Sequence, residues 1–308
     1  MSDRPVAGRV RGALLFALAA LLAAPVLAQD NEGDALAAVK SRGVLEAAMY
    51  DAFPPWSYKG ADNRPAGVDV DLGHALADKL GVSFKPRLFI ADESMSDDLR
   101  NQVWKGHYLG GGVADVMLHV AADPQFAAKE DKADFFGAYF HETVSVVYHP
   151  GKVRNFESPL SLAGHKVGVE IDSISDYYMS GALNGRLRTA AVRKPSLSEA
   201  VAAFKAGEVD AVMAPRGELQ GLLKQAGIPD VAFKEQQLVG MFRTAWDVGL
   251  AVKRTESKAL RDALNKALDE LRTEGKLAAI FAAHGIEYAA PPSTAAGAAA
   301  SARHDDDD

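Results

Sequence analysis

The chain contains no cysteine. That excludes disulfides, covalently attached c-type haem and thiolate metal sites. A basic patch interleaved with aromatics is also missing, which argues against nucleic acid as a partner, and 34 Lys and Arg are outnumbered by 41 Asp and Glu. The one long apolar run, residues 13–27, is short for a membrane span and has no stop-transfer flank. No Gly-x-Ser-x-Gly elbow, His-Glu-x-x-His pair or dinucleotide fingerprint occurs, so no catalytic constellation is apparent. The eight histidines are scattered, and His119 reads as a hydrogen-bonded strand residue rather than a ligand or base. Gly110-Gly111-Gly112 is followed by a strand and by no Gly-Lys-Ser/Thr, which makes it a turn and not a phosphate loop.

What is present begins with a secretion signal. Arg4, Arg9 and Arg11 precede the apolar run, which ends in Val26-Leu27-Ala28, a small-residue cleavage pattern. Residues 1–28 are therefore expected to be removed, leaving an exported protein from Gln29. Loss of three Arg and one Asp takes the formal net charge from −7 to −9, and four of those charges are Asp305–Asp308. The remaining body carries about −5, a modest value. Beyond Tyr288 the composition turns to Ala, Pro, Ser and Gly, so 289–308 is expected to be a disordered tail ending in a solvated acidic run.

Residues 64–81 organise the chain. Pro65 and Gly67 mark a turn, Val68 and Val70 alternate with Asp69 and Asp71 as in a short strand, and Leu72, Ala75, Leu76 and Leu80 recur at helical spacing. Asp69 or Asp71 is expected to cap that helix, and Gly81 to end it. Strand, turn and capped helix open an α/β domain. Further strands are expected at 44–50, 82–90, 113–120, 143–148 and 246–252, and helices at 96–105, 177–183, 198–206, 217–226 and 257–281.

With Phe53-Pro54-Pro55-Trp56-Ser57-Tyr58, the organising stretch resembles the periplasmic solute-binding proteins of polar amino-acid transporters. The resemblance implies an α/β, two-lobed periplasmic-binding-protein fold of type II, each lobe a mixed sheet flanked by helices. Lobe 1 would comprise 29–142 and 245–288, lobe 2 would comprise 143–244, and two crossover strands near 142–147 and 243–249 would allow hinge closure. The ligand anchors of that family are absent. Its Thr-x-Thr-x-x-Arg segment, whose arginine forks onto a ligand carboxylate, is here Val120-Ala121-Ala122-Asp123-Pro124-Gln125-Phe126. Its ammonium-binding Asp is replaced within Ala214-Pro215-Arg216, where Arg216 has the wrong sign for a cation.

A second resemblance is narrower. Asp92 to Gly110, with Arg-Asn-Gln-Val-Trp-Lys-Gly-His-Tyr-Leu-Gly at 100–110, and then Ala114-Asp115-Val116-Met117-Leu118-His119-Val120, is similar to the J proteins of bacterial methanol oxidation, MxaJ and XoxJ. It implies a monomeric periplasmic accessory of a quinoprotein methanol dehydrogenase (XoxF- or MxaF-type). PQQ and calcium or a lanthanide would reside on the partner, and this chain would bind no cofactor or metal. Ala138-Tyr139-Phe140-His141-Glu142 departs from the Pro-Tyr-Tyr-Arg-Glu run expected there. The residues expected to line the cleft, for a small hydrophobic ligand or a peptide, are Trp56, Tyr58, His119, Tyr139, Ser173, Tyr177 and Arg216. Leu99, Trp104, His107 and Tyr108 are the candidate partner surface, with ordinary lobe packing as the competing explanation for Leu99 and Trp104. Two other functions fit the same fold: a transporter receptor for a molecule other than an ordinary amino acid, and a small dehydratase drawing on Glu170 or Asp172.

Overall fold

The structure, a computed structural model, describes residues 34–292 apart from 239, 242 and 243. The expected signal segment and residues 293–308 of the expected tail lie outside the described residues. Along the chain run α1 (Ala35–Arg42), β1 (Val44–Tyr50), β2 (Tyr58–Lys59), β3 (Pro65–Ala66), α2 (Val68–Leu80) and β4 (Ser83–Phe89). Next come α3 (Met95–Leu99), a π-helical turn (Arg100–Trp104), β5 (Val116–Ala121), α4 (Pro124–Ala127) and β6 (Ala133–Tyr148). β7 (Val167–Glu170), α5 (Ile174–Gly181), β8 (Ala191–Lys194), α6 (Leu197–Lys205), β9 (Ala211–Pro215), α7 (Arg216–Ala226) and β10 (Ala232–Glu235) follow. β11 (Ala245–Lys253), α8 (Lys258–Thr273) and α9 (Lys276–Ala283) return to the starting side.

The main sheet has the order β4-β1-β5-β11-β6-β9-β7-β8, with β10 added on β6. β1 pairs parallel with β4 and β5, and β7 pairs parallel with β8 and β9. The two parallel groups are joined through the antiparallel strands β11 and β6. β6 is 16 residues long and serves both halves: Ala133 to Thr143 pairs with β11, and Val144 to Tyr148 pairs with β9. Helices on the sheet faces bury the apolar stripes that their sequences carry. α8 turns Leu260, Leu264, Ala267, Leu268 and Leu271 inward, the 3.6-residue pattern of a helix lying on a core.

The organising stretch is helical from its first valine. The expected short strand at Val68 and Val70 does not form, and neither Asp69 nor Asp71 caps the helix. The carbonyls of Pro55 and Trp56 take that role, accepting from the N–H groups of Val68 at 3.1 Å and Asp69 at 2.9 Å. With the first donors satisfied by a neighbouring loop, the helix needs no side-chain cap. Gly67 permits the approach, because a Cβ there would lie 2.2 Å from the Trp56 carbonyl oxygen.

On its other side the same loop meets α7. A Cβ on Gly217 would lie 2.7 Å from Trp56 Cζ2, and one on Gly221 would lie 2.5 Å from Pro55 Cγ. Two glycines four residues apart thus give α7 a bare face against Pro55 and Trp56. Around this seam Lys224 Nζ donates to the carbonyls of Ala283 at 2.9 Å and Ala282 at 3.3 Å, at the end of α9. Gln220 Oε1 accepts from the Glu287 N–H at 3.1 Å, and Gln225 Nε2 donates to Tyr58 Oη at 3.2 Å. The halves of the molecule are therefore joined by direct packing as well as by β6 and β11. Ordered structure also runs past residue 288, where the tail was expected to begin: the Ala289 carbonyl accepts from the His141 N–H at 2.8 Å.

Filling the bare face of α7 should be costly. Gly217→Ala and Gly221→Ala should each lower stability in urea by about 1–3 kcal/mol, the usual range for overpacking. Gly151→Ala, at a position where a Cβ meets nothing within 4 Å, should be close to neutral. Equal unfolding midpoints for all three would mean that the seam yields without cost.

Candidate functional site

Where the ends of β1 and β5 face α7, the structure forms an open cavity of about 390 Å³. Its walls include Tyr50, Phe53, His119, Glu142, Glu218 and Trp246. Each side chain is delivered by an element already described: Tyr50 ends β1, His119 lies in β5, Glu142 in β6, Trp246 in β11, and Glu218 in the first turn of α7. Tyr50 and Phe53 meet edge to face at 6.0 Å between ring centroids, and Phe53 meets the His119 ring the same way at 5.0 Å.

His119 is held unusually for a strand residue. Its φ is +58°, in the left-handed region that non-glycine residues rarely enter. Behind it lies the wholly buried Asp69 carboxylate, which faces His119 Nδ1 at 3.1 Å and accepts from Tyr139 Oη–H at 2.6 Å. A carboxylate against Nδ1 makes that nitrogen the protonated one. Burial, with the Asp69 charge adding to it, raises the Tyr139 phenol well above its ordinary value, so Tyr139 stays a donor.

The acidic wall behaves differently. Glu142 is almost wholly buried and accepts from the N–H groups of Thr143 at 3.0 Å and Gly217 at 3.1 and 3.2 Å. Burial pushes its carboxyl up to about 7, against the opposing pull of those donors and of Arg216. Glu218 is raised well above the carboxyl range by burial, then by the nearby Glu142 and Glu170 carboxyls, although part of its surface still opens on the cavity. The other acid in the wall, Asp51, is already engaged by Lys59 Nζ at 2.6 Å and by the Ala52 N–H at 2.8 Å. Among the described residues, none of the side chains lining the cavity is Lys or Arg.

Of the residues expected from sequence to line the cleft, the structure brings His119 into the cavity wall. Tyr139 lies directly behind it, fully buried. Trp56 is also fully buried, in the seam against Gly217, because its ring packs among His119, Phe140 and Phe281. Tyr58 meets Gln225 at the edge of that seam, and Arg216 faces Glu287 at 3.4 Å. Ser173 caps α5, accepting from the Asp176 N–H at 3.2 Å, and Tyr177 stands 61% exposed on that helix. Glu142, Glu218, Tyr50 and Trp246 were not among the expected lining. Glu218 had a signal: it follows the replaced anchor position by less than one helical turn. In the segment that would carry a carboxylate-binding arginine, Phe126 packs on the Phe135 ring at 5.6 Å, and Asp123 caps α4.

The candidate partner segment divides in two. The expected helix over 96–105 is α3 continued by the π turn, in which the Arg100 carbonyl accepts from the Lys105 N–H. Leu99 is wholly buried, and Trp104, half-buried, packs on the same apolar cluster, so both contribute to the lobe. His107 is half-buried, its ring 4.4 Å from that of Tyr108, which is exposed. The triple glycine is a turn as expected, and Arg87 fastens it, donating to the carbonyls of Gly112 at 2.8 Å and Gly111 at 2.9 Å. Among the described residues, no group of three or more His, Asp or Glu is placed to hold a metal ion, and no helix is long and apolar enough to cross a membrane.

The Glu142 carboxyl should leave a mark on stability. Between its ordinary pKa near 4.5 and about 7, the folded chain keeps a proton that the unfolded chain releases. Stability should be highest below that window and fall as pH rises through it, by on the order of 3 kcal/mol for this group alone. Glu142→Gln should flatten the slope measured by urea unfolding between pH 5 and 8. A slope unchanged in the variant would assign it to another group.

Comparison with known proteins agrees with this architecture. Residues 45–103 match the bacterial extracellular solute-binding proteins, family 3. The chain is 29% identical over 266 residues to an L-arginine-binding protein of Pseudomonas aeruginosa, covering 86% of this chain and 92% of that protein. It is 23% identical over 278 residues to the L-cystine-binding protein TcyJ of Escherichia coli, covering 88% and 93% respectively. Among solved structures, an ancestral cationic amino-acid solute-binding protein superposes with a TM-score of 0.64 at 18% identity, covering 81% of this chain and 99% of that one. The chain thus has the two-lobed fold of the periplasmic binding proteins, and its segment 45–103 carries the sequence pattern of family 3 of the bacterial extracellular solute-binding proteins.

Proposed function

We propose that this chain is a non-catalytic periplasmic accessory protein that uses a binding-protein fold to serve a PQQ-dependent alcohol dehydrogenase, in its maturation or activation. The observation that carries this reading is the use made of residues 100–112. Asn101, Gln102 and Val103 are buried and build the lobe, but Tyr108 and Leu109 are spent on solvent, at 81% and 79% exposure. Adjacent large apolar side chains left outside are the usual mark of a contact surface. Arg87, itself paired with Glu46, holds the loop in shape, so little ordering would be lost on docking. The similarity of this run to the methanol-oxidation J proteins supports a quinoprotein methanol dehydrogenase as the partner. PQQ and its calcium or lanthanide would belong to that partner. The chain itself would act as an exported monomer without a cofactor.

A second reading, the receptor of a membrane transporter, is favoured by arginine- and cystine-binding relatives that align with most of the chain. Against an ordinary amino acid as ligand stands Phe126, half-buried and packed on Phe135 where a carboxylate fork would be needed.

The readings separate in a pull-down from the periplasm of the host grown on methanol. The tagged chain should recover a quinoprotein dehydrogenase, and Tyr108→Ala with Leu109→Ala should reduce recovery by roughly tenfold or more, since exposed anchors dominate docking energy. Recovery of a permease instead, with no dehydrogenase, would establish the receptor reading.

A further inference from the structure

The cavity between β1, β5 and α7 has an unusual balance of groups. Three aromatic side chains, Tyr50, Phe53 and Trp246, share its wall with Glu142, Glu218 and the Lys59-paired Asp51. Its volume of about 390 Å³ is that of a small-molecule site. Of the nearby cations, Lys59 is on Asp51, while Arg216, which reaches Glu287, also favours the charge of Glu142 but does not act on Glu218. Glu142 at least accepts from two backbone N–H groups, but Glu218 has no hydrogen bond or ion pair with any described residue. A half-buried carboxyl without a protein partner takes its donor from whatever fills the cavity, water or a ligand.

We propose that the cavity is a site for an organic cation that carries no carboxylate, a primary amine or guanidinium compound, with Glu218 and Glu142 meeting its charge and Tyr50, Phe53 and Trp246 forming its walls. A cation gains twice here: from aromatic faces, which attract positive charge most where water is excluded, and from the carboxyls. An anion gains little from the described lining, which contains no Lys or Arg. A zwitterionic amino acid must bury its carboxylate unpaired and loses much of what its cationic end gains. Burial raises both acids, Glu142 to about 7, so each holds a proton more readily than a free carboxyl; an arriving cation favours their ionised form and drives a proton out. This site is independent of the dehydrogenase reading and could operate beside it.

Agmatine and L-arginine test the point, since they share a guanidinium group and differ by one carboxylate. Titration calorimetry on the mature chain at pH 7 should show agmatine binding roughly tenfold or more tighter than L-arginine. Its apparent heat should differ between phosphate and Tris buffers as a proton is released, a readout that needs no variant. Glu218→Gln should weaken agmatine by roughly tenfold, with circular dichroism showing the fold intact. L-Arginine binding as tightly as agmatine, or no saturation by either at millimolar concentration, would overturn the proposal. So would buffer-independent heats. A chain that captures a dehydrogenase but binds no agmatine refutes this site alone, and the reverse result refutes only the partner.

Discussion

Much of the structure depends on how the carbonyls of Pro55 and Trp56 are used. They accept the first N–H groups of α2, which fixes where that helix starts and removes the need for a capping side chain. Once the loop is held there, Gly67 must lack a Cβ and Trp56 is driven wholly inside. The opposite side of the loop becomes the surface on which α7 rests through Gly217 and Gly221. Because α7 also carries Glu218, the same loop decides where an acid enters the cavity. One pair of backbone hydrogen bonds thus links helix start, lobe packing and site geometry.

The site shows two ways of burying acid. Asp69 is fully enclosed but paired, by Tyr139 and His119, so its charge helps to orient the histidine. Glu142 has backbone donors and is still pushed up to about 7, and Glu218 has no such donors and lies beside it. A site intended only to be stable would not keep the second arrangement, because a pair of unneutralised acids in a confined space disfavours its own ionisation. The contrast is what separates scaffold from site in this molecule.

How much of this was legible in the sequence varied with distance along the chain. The spacing of Leu72, Leu76 and Leu80 and the stripe on α8 specify helices by local periodicity, and both formed. The two-lobed fold was legible through motif resemblance. The start of α2 was not, because its cap comes from the backbone of another segment and leaves no trace at Asp69. The full run of β6 was hidden as well: Gly137, at φ +59°, lies where the register with β11 shifts, so alternation fails in the middle of the strand. His119 was legible as a strand residue with a partner, but Asp69, fifty positions away, could not be identified as that partner. Glu218, two residues beyond the replaced anchor at 214–216, left no motif of its own, because only the start of α7 turns its acid into the wall.

The bare face of α7 has a consequence for how such a protein changes over generations. At Gly217 and Gly221 every side chain collides with the loop, so nearly all substitutions there are closed off. In the cavity wall, Tyr50 and Trp246 present side-chain tips, where an exchange alters what is recognised and leaves Gly217 and Gly221 in place. Change is thereby steered: substitutions at the seam are costly, while those at the pocket's side-chain tips stay open. A lineage can abandon one kind of ligand for another and still fold at every step.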